Sequence, residues 1–321
     1  MQMIEPAALS HAVVPVDAKV TSAFIEKSVS ENTRTAYRSA LIEFFRHAGM
    51  KPPQQIAPAD VVAYRDHLIR LKRKASTVNF KLSVVRSFFD YLRGVGLLTL
   101  NPASTRLVSP PALPEHLTGR ILTGKEVGLL LSGPDRRTTG GARDHALLLV
   151  CLRMSLRVSE VCSLRTSSIH WSHGRWIMRV KVKGGRERTL PLPPEVKRAI
   201  DDYVRLDAGR RRNQHCDGPD SYIFQPLCNY RTLEFDRALT RRQVRNIVAR
   251  WGDYCGLGRL TPHDLRRTAI TQALDQGLSY RQVQMMSGHA DPKTVMRYDH
   301  HRDNLDQNAI NFLSYGDGKN E

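Results

Sequence analysis

Residues 261–277, TPHDLRRTAITQALDQG, spell out a helix with both ends marked. Thr261 is a capping residue, Pro262 takes the first helical position, and Gly277 stops the run. His263 and Arg266 are three apart, so both side chains emerge from one face of the first turn. The open amides of a helix N-terminus favour an anion at that place. A capping histidine with a solvated arginine is the plainer account of the same pair.

Helical signals continue on both sides of this stretch. Downstream, 279–286 reads as a helix, SGH at 287–289 breaks it, and Asp291-Pro292 starts another that delivers Tyr298 two turns later. A last amphipathic segment, RDNLDQNAINFL, carries Leu305, Ala309 and Phe312 on one side. Upstream, helices are predicted at 240–255 and 194–206, in ARDHALLLVCLRM, in SLRVSEVCSL, and after the capping-box pair Thr123 and Glu126. The one clear strand signal is RWIMRVKVKGGRERTLPLP, two β-rich runs joined by Gly184-Gly185.

The first hundred residues predict a helical bundle. A short helix lies near Ala23, and NTRTAYRSALIEFFRHAG is capped by Asn32 or Thr33. APADVVAYRDHLIRLK turns Val61, Tyr64, Leu68 and Leu71 inward, and STVNFKLSVVRSFFDYLRG, capped by Ser76, turns in Val78, Leu82, Val85, Phe89 and Leu92. Lys72, Arg73, Lys74, Lys81 and Arg86 gather along its polar edge, which suits phosphate contact better than a merely solvated face. Three prolines in TRLVSPPALPEHL mark an extended linker. The expected organisation is a flexible tail at 1–18, a helical domain at 19–104, the linker at 105–117, a mixed α+β domain at 118–301 and a tail helix at 302–321. The fold class is mostly α, with a small antiparallel β element.

The net charge of +18 is spread along the chain, +6 over residues 1–117 and +12 over the remainder, so a polyanion in contact with the whole molecule is the simplest partner. Five scattered cysteines without a C-x-x-C pair suit a reducing compartment and no zinc site. The first twenty residues lack the features of a signal peptide, and the apolar run ALLLVCL is too short to span a bilayer. A cytoplasmic protein with no membrane contact, metal or cofactor is expected.

Several further residues are not needed for packing. Arg157 opens a helix with Glu160 one turn on, able to orient its guanidinium or merely to pair with it at the surface. Lys183 sits at the hairpin tip, where a glycine pair lets the turn approach a charged backbone and where lysine also serves solubility. Two arginines, a lysine, two histidines and a tyrosine suit a phosphodiester whose growing charge guanidiniums neutralise. The tyrosine suits a nucleophile that forms a covalent ester, with lysine and histidine moving protons. His300 and His301, beside Asp299, read as a solvated run rather than a metal site.

Arg157, Lys183, HDLR at 263–266, Gly288-His289 and Tyr298 stand in the order and approximate spacing of the tyrosine recombinase (phage-integrase) family, which nearly the whole chain resembles. Two departures are Ser155, where glycine is common before the Leu-Arg pair, and Ser287, where leucine usually precedes Gly-His. The resemblance implies a SAM-like core-binding domain and a catalytic domain closing on double-stranded DNA. In it Arg157, Arg266 and His289 stabilise the pentavalent phosphate, Lys183 protonates the departing 5′ oxygen, His263 assists proton transfer and Tyr298 becomes a 3′-phosphotyrosyl ester. Arg241 and Arg242 join the bundle cations as DNA-binding residues. Protomers that are monomers in free solution would form a homotetramer on two sites and exchange strands through a Holliday junction. The tail would dock in a neighbour, or else pack back on its own domain. A type IB topoisomerase-like enzyme and a DNA-binding protein with a degenerate site are the rivals. The separate helical domain and the segment after Tyr298 argue against the first, the full set of catalytic groups against the second.

Overall fold

The computed structural model describes residues 17–114, 119–182, 185–227, 236–299 and 311. The chain divides into two units, Met1–Pro114 and Glu115–Glu321.

The first unit contains α1 (Ala18–Glu26), α2 (Glu31–His47), α3 (Pro58–Arg70) and α4 (Ala75–Gly94). Its core is aromatic: Phe44, Phe45, Tyr64, Phe88 and Phe89 are fully buried and meet mainly edge to face, as ring quadrupoles prefer. Each such ring contributes about 1.5–3 kcal/mol by leaving water. The predicted caps shift by two or three residues. Extended Ser30 precedes α2 in place of Asn32 or Thr33, and Lys74 precedes α4 in place of Ser76. Leu71 does not turn inward. It follows the end of α3 and is 52% exposed, where Lys72 at φ +53° reverses the chain. Val108, within the stretch expected as linker, is buried in this core. Arg86 secures the approach to it, its Nε donating to the Ala103 carbonyl at 2.9 Å while Asn101 Nδ2 donates to the Arg86 carbonyl at 3.0 Å.

The second unit runs α5 (Gly124–Ser132), α6 (Thr139–Arg153), α7 (Val158–Ser163), β1 (Ile169–Ser172), β2 (Arg175–Lys181), β3 (Glu187–Pro191), α8 (Pro194–Leu206), α9 (Ala208–Asn213), α10 (Arg241–Tyr254), α11 (Pro262–Asp275), α12 (Tyr280–Ser287) and α13 (Pro292–Met296). Helix α6 is its centre, buried on nearly every side and packed against α8 and α11. The strands form an antiparallel sheet in the order β1-β2-β3, with Trp171 opposite Trp176 and Val180 opposite Arg188. Strand β1 was not among the sequence expectations. His173 and Gly174, both at positive φ, form the two-residue turn that pairs it with β2. Helix α9 is likewise additional. The predicted β2–β3 hairpin is present, though its tip at 183–184 lies outside the described residues, as do His300, His301 and the expected tail helix apart from Asn311. Among the described residues no helix is long and apolar enough to cross a membrane.

Candidate active site

The turn between α12 and α13 collects the predicted residues. Gly288 ends α12 in the left-handed conformation, at φ +68°. A side chain there would be strained and would run into the Arg188 guanidinium at 2.7 Å. The turn exposes its carbonyls to two arginines. Arg157, in the cap position of α7, donates from Nη2 to the Gly288 carbonyl at 3.0 Å. Arg266, one turn into α11 and only 3% exposed, donates from Nη2 to the Ser287 carbonyl at 2.8 Å and from Nη1 to the Ser155 carbonyl.

Glu160 orients the arginines. Its Oε1 accepts from Arg157 Nη1 at 2.9 Å, and its Oε2 accepts from the Arg157 backbone amide at 2.8 Å and from Arg188 Nη2 at 3.0 Å. The carboxylate is buried, so truncating it would leave two guanidiniums without their counter-charge. Arg188 was missed by the sequence reading. It points into the apolar side of β3, in phase with Leu190, and also donates to the Met286 carbonyl at 2.8 Å. An arginine in phase with core leucines was the available signal.

Burial dominates the electrostatics. Desolvation, followed by the nearby Arg157, draws Arg266 down to about 10, which keeps it charged at neutral pH. Desolvation and then Arg266 and Arg157 draw His289 down to about 4, so its imidazole is neutral. His263, at the start of α11 and open to solvent on one side, is also held below its usual value by partial burial and then by Arg267 and Arg266.

Tyr298 is 3% exposed, with its ring stacked on His289 at 5.8 Å between centroids. Its carbonyl accepts from Thr271 Oγ1 at 3.4 Å, and Tyr280 donates its hydroxyl to the carboxylate of the next residue, Asp299. Arg157, Arg266, His289 and Tyr298 are thus gathered around one turn, with His263 close enough to lower the His289 pKa. Lys183 lies outside the described residues.

The predicted DNA-binding residues divide. Lys72, Arg73 and Lys74 are exposed on the α3–α4 loop, and Arg241 and Arg242 on the first turn of α10. Lys81 instead pairs with Glu43 and is 15% exposed, and Arg86 is the tether described above. Neither stands free on a surface, because longer-range partners within the same unit have claimed them. Among the described residues no group of three or more His, Cys, Asp or Glu side chains could hold a metal.

Residues 120–304 match the phage integrase family model, and residues 22–95 match the model of the phage integrase N-terminal SAM-like domain. Tyrosine recombinase XerC of Thermodesulfovibrio yellowstonii is 30% identical over 277 residues, covering 86% of this chain and 88% of the relative. Tyrosine recombinase XerD of Pseudomonas putida is 31% identical over 301 residues, covering 91% and 94%. In fold the chain is similar to the Tn1549 transposon integrase in complex with transposon right end DNA, at a TM-score of 0.69 and 16% identity over 92% of this chain and 97% of that one. It is also similar to XerH recombinase in a post-cleavage complex with a palindromic difH substrate, at 0.66 and 16% over 88% and 86%.

Proposed function

The chain belongs to the phage integrase family of tyrosine recombinases, and from that premise we propose that Tyr298 cleaves duplex DNA and holds the 3′ end as a phosphotyrosyl ester. The observation that carries this reading is the convergence of Arg157 and Arg266 on the turn whose histidine stacks on Tyr298. In the proposed step the Tyr298 oxygen bonds to phosphorus and the bond to the 5′ oxygen breaks. His263 takes up the phenolic proton, and Lys183 supplies one to the departing 5′ oxygen. Arg157 and Arg266 meet the charge that grows on the non-bridging oxygens, and His289 stands beside them. The guanidiniums supply the positive charge, so EDTA should leave cleavage unchanged.

Lys72, Arg73, Lys74, Arg241 and Arg242 are proposed to bind phosphates. Four protomers on two sites would exchange strands through a Holliday junction. The biological setting we assign is a mobile element, with integration, excision or resolution as its task. Sequencing the DNA around the gene tests that setting: paired sites bracketing a transferable segment support it, and a lone chromosomal site sinks it. The chemistry is tested with a suicide duplex that traps the ester. Wild type should form a protein–DNA adduct that survives denaturation, while Tyr298→Phe should bind equally well and form none. An adduct in that variant would overturn the assignment.

A further inference from the structure

Three carbonyls in succession close α12, and each is taken by a different arginine. Met286 accepts from Arg188 Nη1 at 2.8 Å, Ser287 from Arg266 Nη2 at 2.8 Å and Gly288 from Arg157 Nη2 at 3.0 Å. A helix C-terminus is the negative end of its dipole, which favours such a gathering of cations. The carboxylate bonded to them is Glu160, shared between Arg157 Nη1 at 2.9 Å and Arg188 Nη2 at 3.0 Å. Its two partners are not equivalent. The Arg188 side chain is 15% exposed and that of Arg157 41%. The Arg188 guanidinium also lies close against Gly288, and its Nε is buried without a hydrogen-bond partner. Arg188 and Glu160 are thus the buried pair, and Arg157 is the cation open to solvent.

We infer that Arg188 is a positioning residue that acts through Glu160: it serves as the carboxylate's counter-ion and so leaves the charge of Arg157 free for the scissile phosphate. The inference rests on the reading that Arg157 meets that phosphate. With Arg188 in place, three guanidiniums and one carboxylate leave a surplus of two positive charges at the turn. Without it, Glu160 faces Arg157 alone, and the surplus falls to one, on Arg266. A buried carboxylate without a second cation would claim Arg157 whole, and the field of that guanidinium at the phosphate would be cancelled. What counts in this role is the charge at position 188, more than the shape of the fork.

The test uses the full-length protein. It compares Arg188→Lys, which keeps the charge, with Arg188→Gln, which keeps a donor without it, and takes Arg188→Met as a second neutral variant. Two suicide duplexes are cleaved, one with an ordinary scissile phosphate and one with a methylphosphonate, which carries no charge on its non-bridging positions. On the phosphate, single-turnover cleavage should slow roughly tenfold to a hundredfold in Arg188→Gln and Arg188→Met, the effect of one uncompensated charge several ångströms away. Arg188→Lys should recover most of that rate, and all the variants should bind DNA alike. On the methylphosphonate the gap between Arg188→Lys and the neutral variants should close. A gap of equal size on both duplexes, or Arg188→Lys no faster than Arg188→Gln on the phosphate, makes Arg188 a structural support and overturns the inference. A wild type that forms no adduct on the phosphate brings down the recombinase reading itself. A wild type that does form one, beside neutral variants that cleave as fast, brings down the inference alone.

Discussion

Replacing Ser155 with glycine should stabilise the second unit. Ser155 sits at φ +49°, in the left-handed region, and is fully buried. Its hydroxyl finds no hydrogen-bond partner, while its carbonyl accepts from Arg266. Relief of the left-handed strain is worth about 1–2 kcal/mol, and removal of an unsatisfied buried hydroxyl about 1–3 kcal/mol. Against these stand roughly 0.5–1 kcal/mol for the extra freedom of glycine in the unfolded chain and about 1 kcal/mol for the lost side-chain packing. The net expectation is about 1 kcal/mol in favour of Ser155→Gly, or a rise of roughly 2–4 °C in Tm for a unit of this size. Trp171, Trp176 and Trp251 all lie in the second unit, so intrinsic tryptophan fluorescence follows its melting without interference from the first. The carbonyl that holds Arg266 survives the change, so cleavage should persist. Ser155→Ala removes the hydroxyl and keeps the strain, and should gain less. A lower Tm for Ser155→Gly, or equal gains for glycine and alanine, would refute the strain argument.

The bundle cations should separate by context. Alanine at Lys72, Arg73 or Lys74 should each flatten the log–log salt dependence of DNA binding by about 0.9 per lost phosphate contact, whereas Lys81→Ala, which breaks a pair with Glu43, should lower stability and leave the slope alone. Equal slopes for all four variants would show that exposure does not select the contacts. Stability should also depend on pH through His289. Its pKa falls from 6.5 unfolded to about 4 folded, so the unfolded chain binds more protons in that window; stability is complete above pH 6.5 and is lost as pH falls toward 4. Urea titrations followed by tryptophan emission from pH 7 to 4 should show this decline, with a shallower one in His289→Gln, and identical curves would remove His289 as its source.

Features written in local chemistry were readable from the sequence. Thr123 with Glu126, Thr261 with Asp264 and Asp291 before Pro292 all cap helices through their own neighbours, and the helices begin where those residues stand. What escaped depends on distant partners. Lys81 looks like a surface cation until α2 brings Glu43 beside it, and Arg86 until the chain returns at Ala103. Arg188 needed the phase of the sheet as well as the existence of the hairpin. Strand β1 has only four residues and relies on a His-Gly turn, a weaker signal than Gly-Gly. Helix α9 was hidden because Asp207 ends one helix and begins the next. The residue types of the candidate site could be named from the sequence; the sharing of Glu160 between Arg157 and Arg188 could not.

Tyr298 is fastened to its own chain at three points, through Thr271 to its carbonyl, His289 to its ring and Tyr280 to the residue that follows. The arginines that face it come from that same chain. This has a consequence for genetic complementation. On the roles proposed for Tyr298 and Arg157, a protomer lacking the tyrosine and a protomer lacking Arg157 would each carry one broken site, and neither could lend its intact half to the other. Co-expressing the two alleles should therefore restore no activity, and a heterozygous population should behave as though every defective subunit were simply dead.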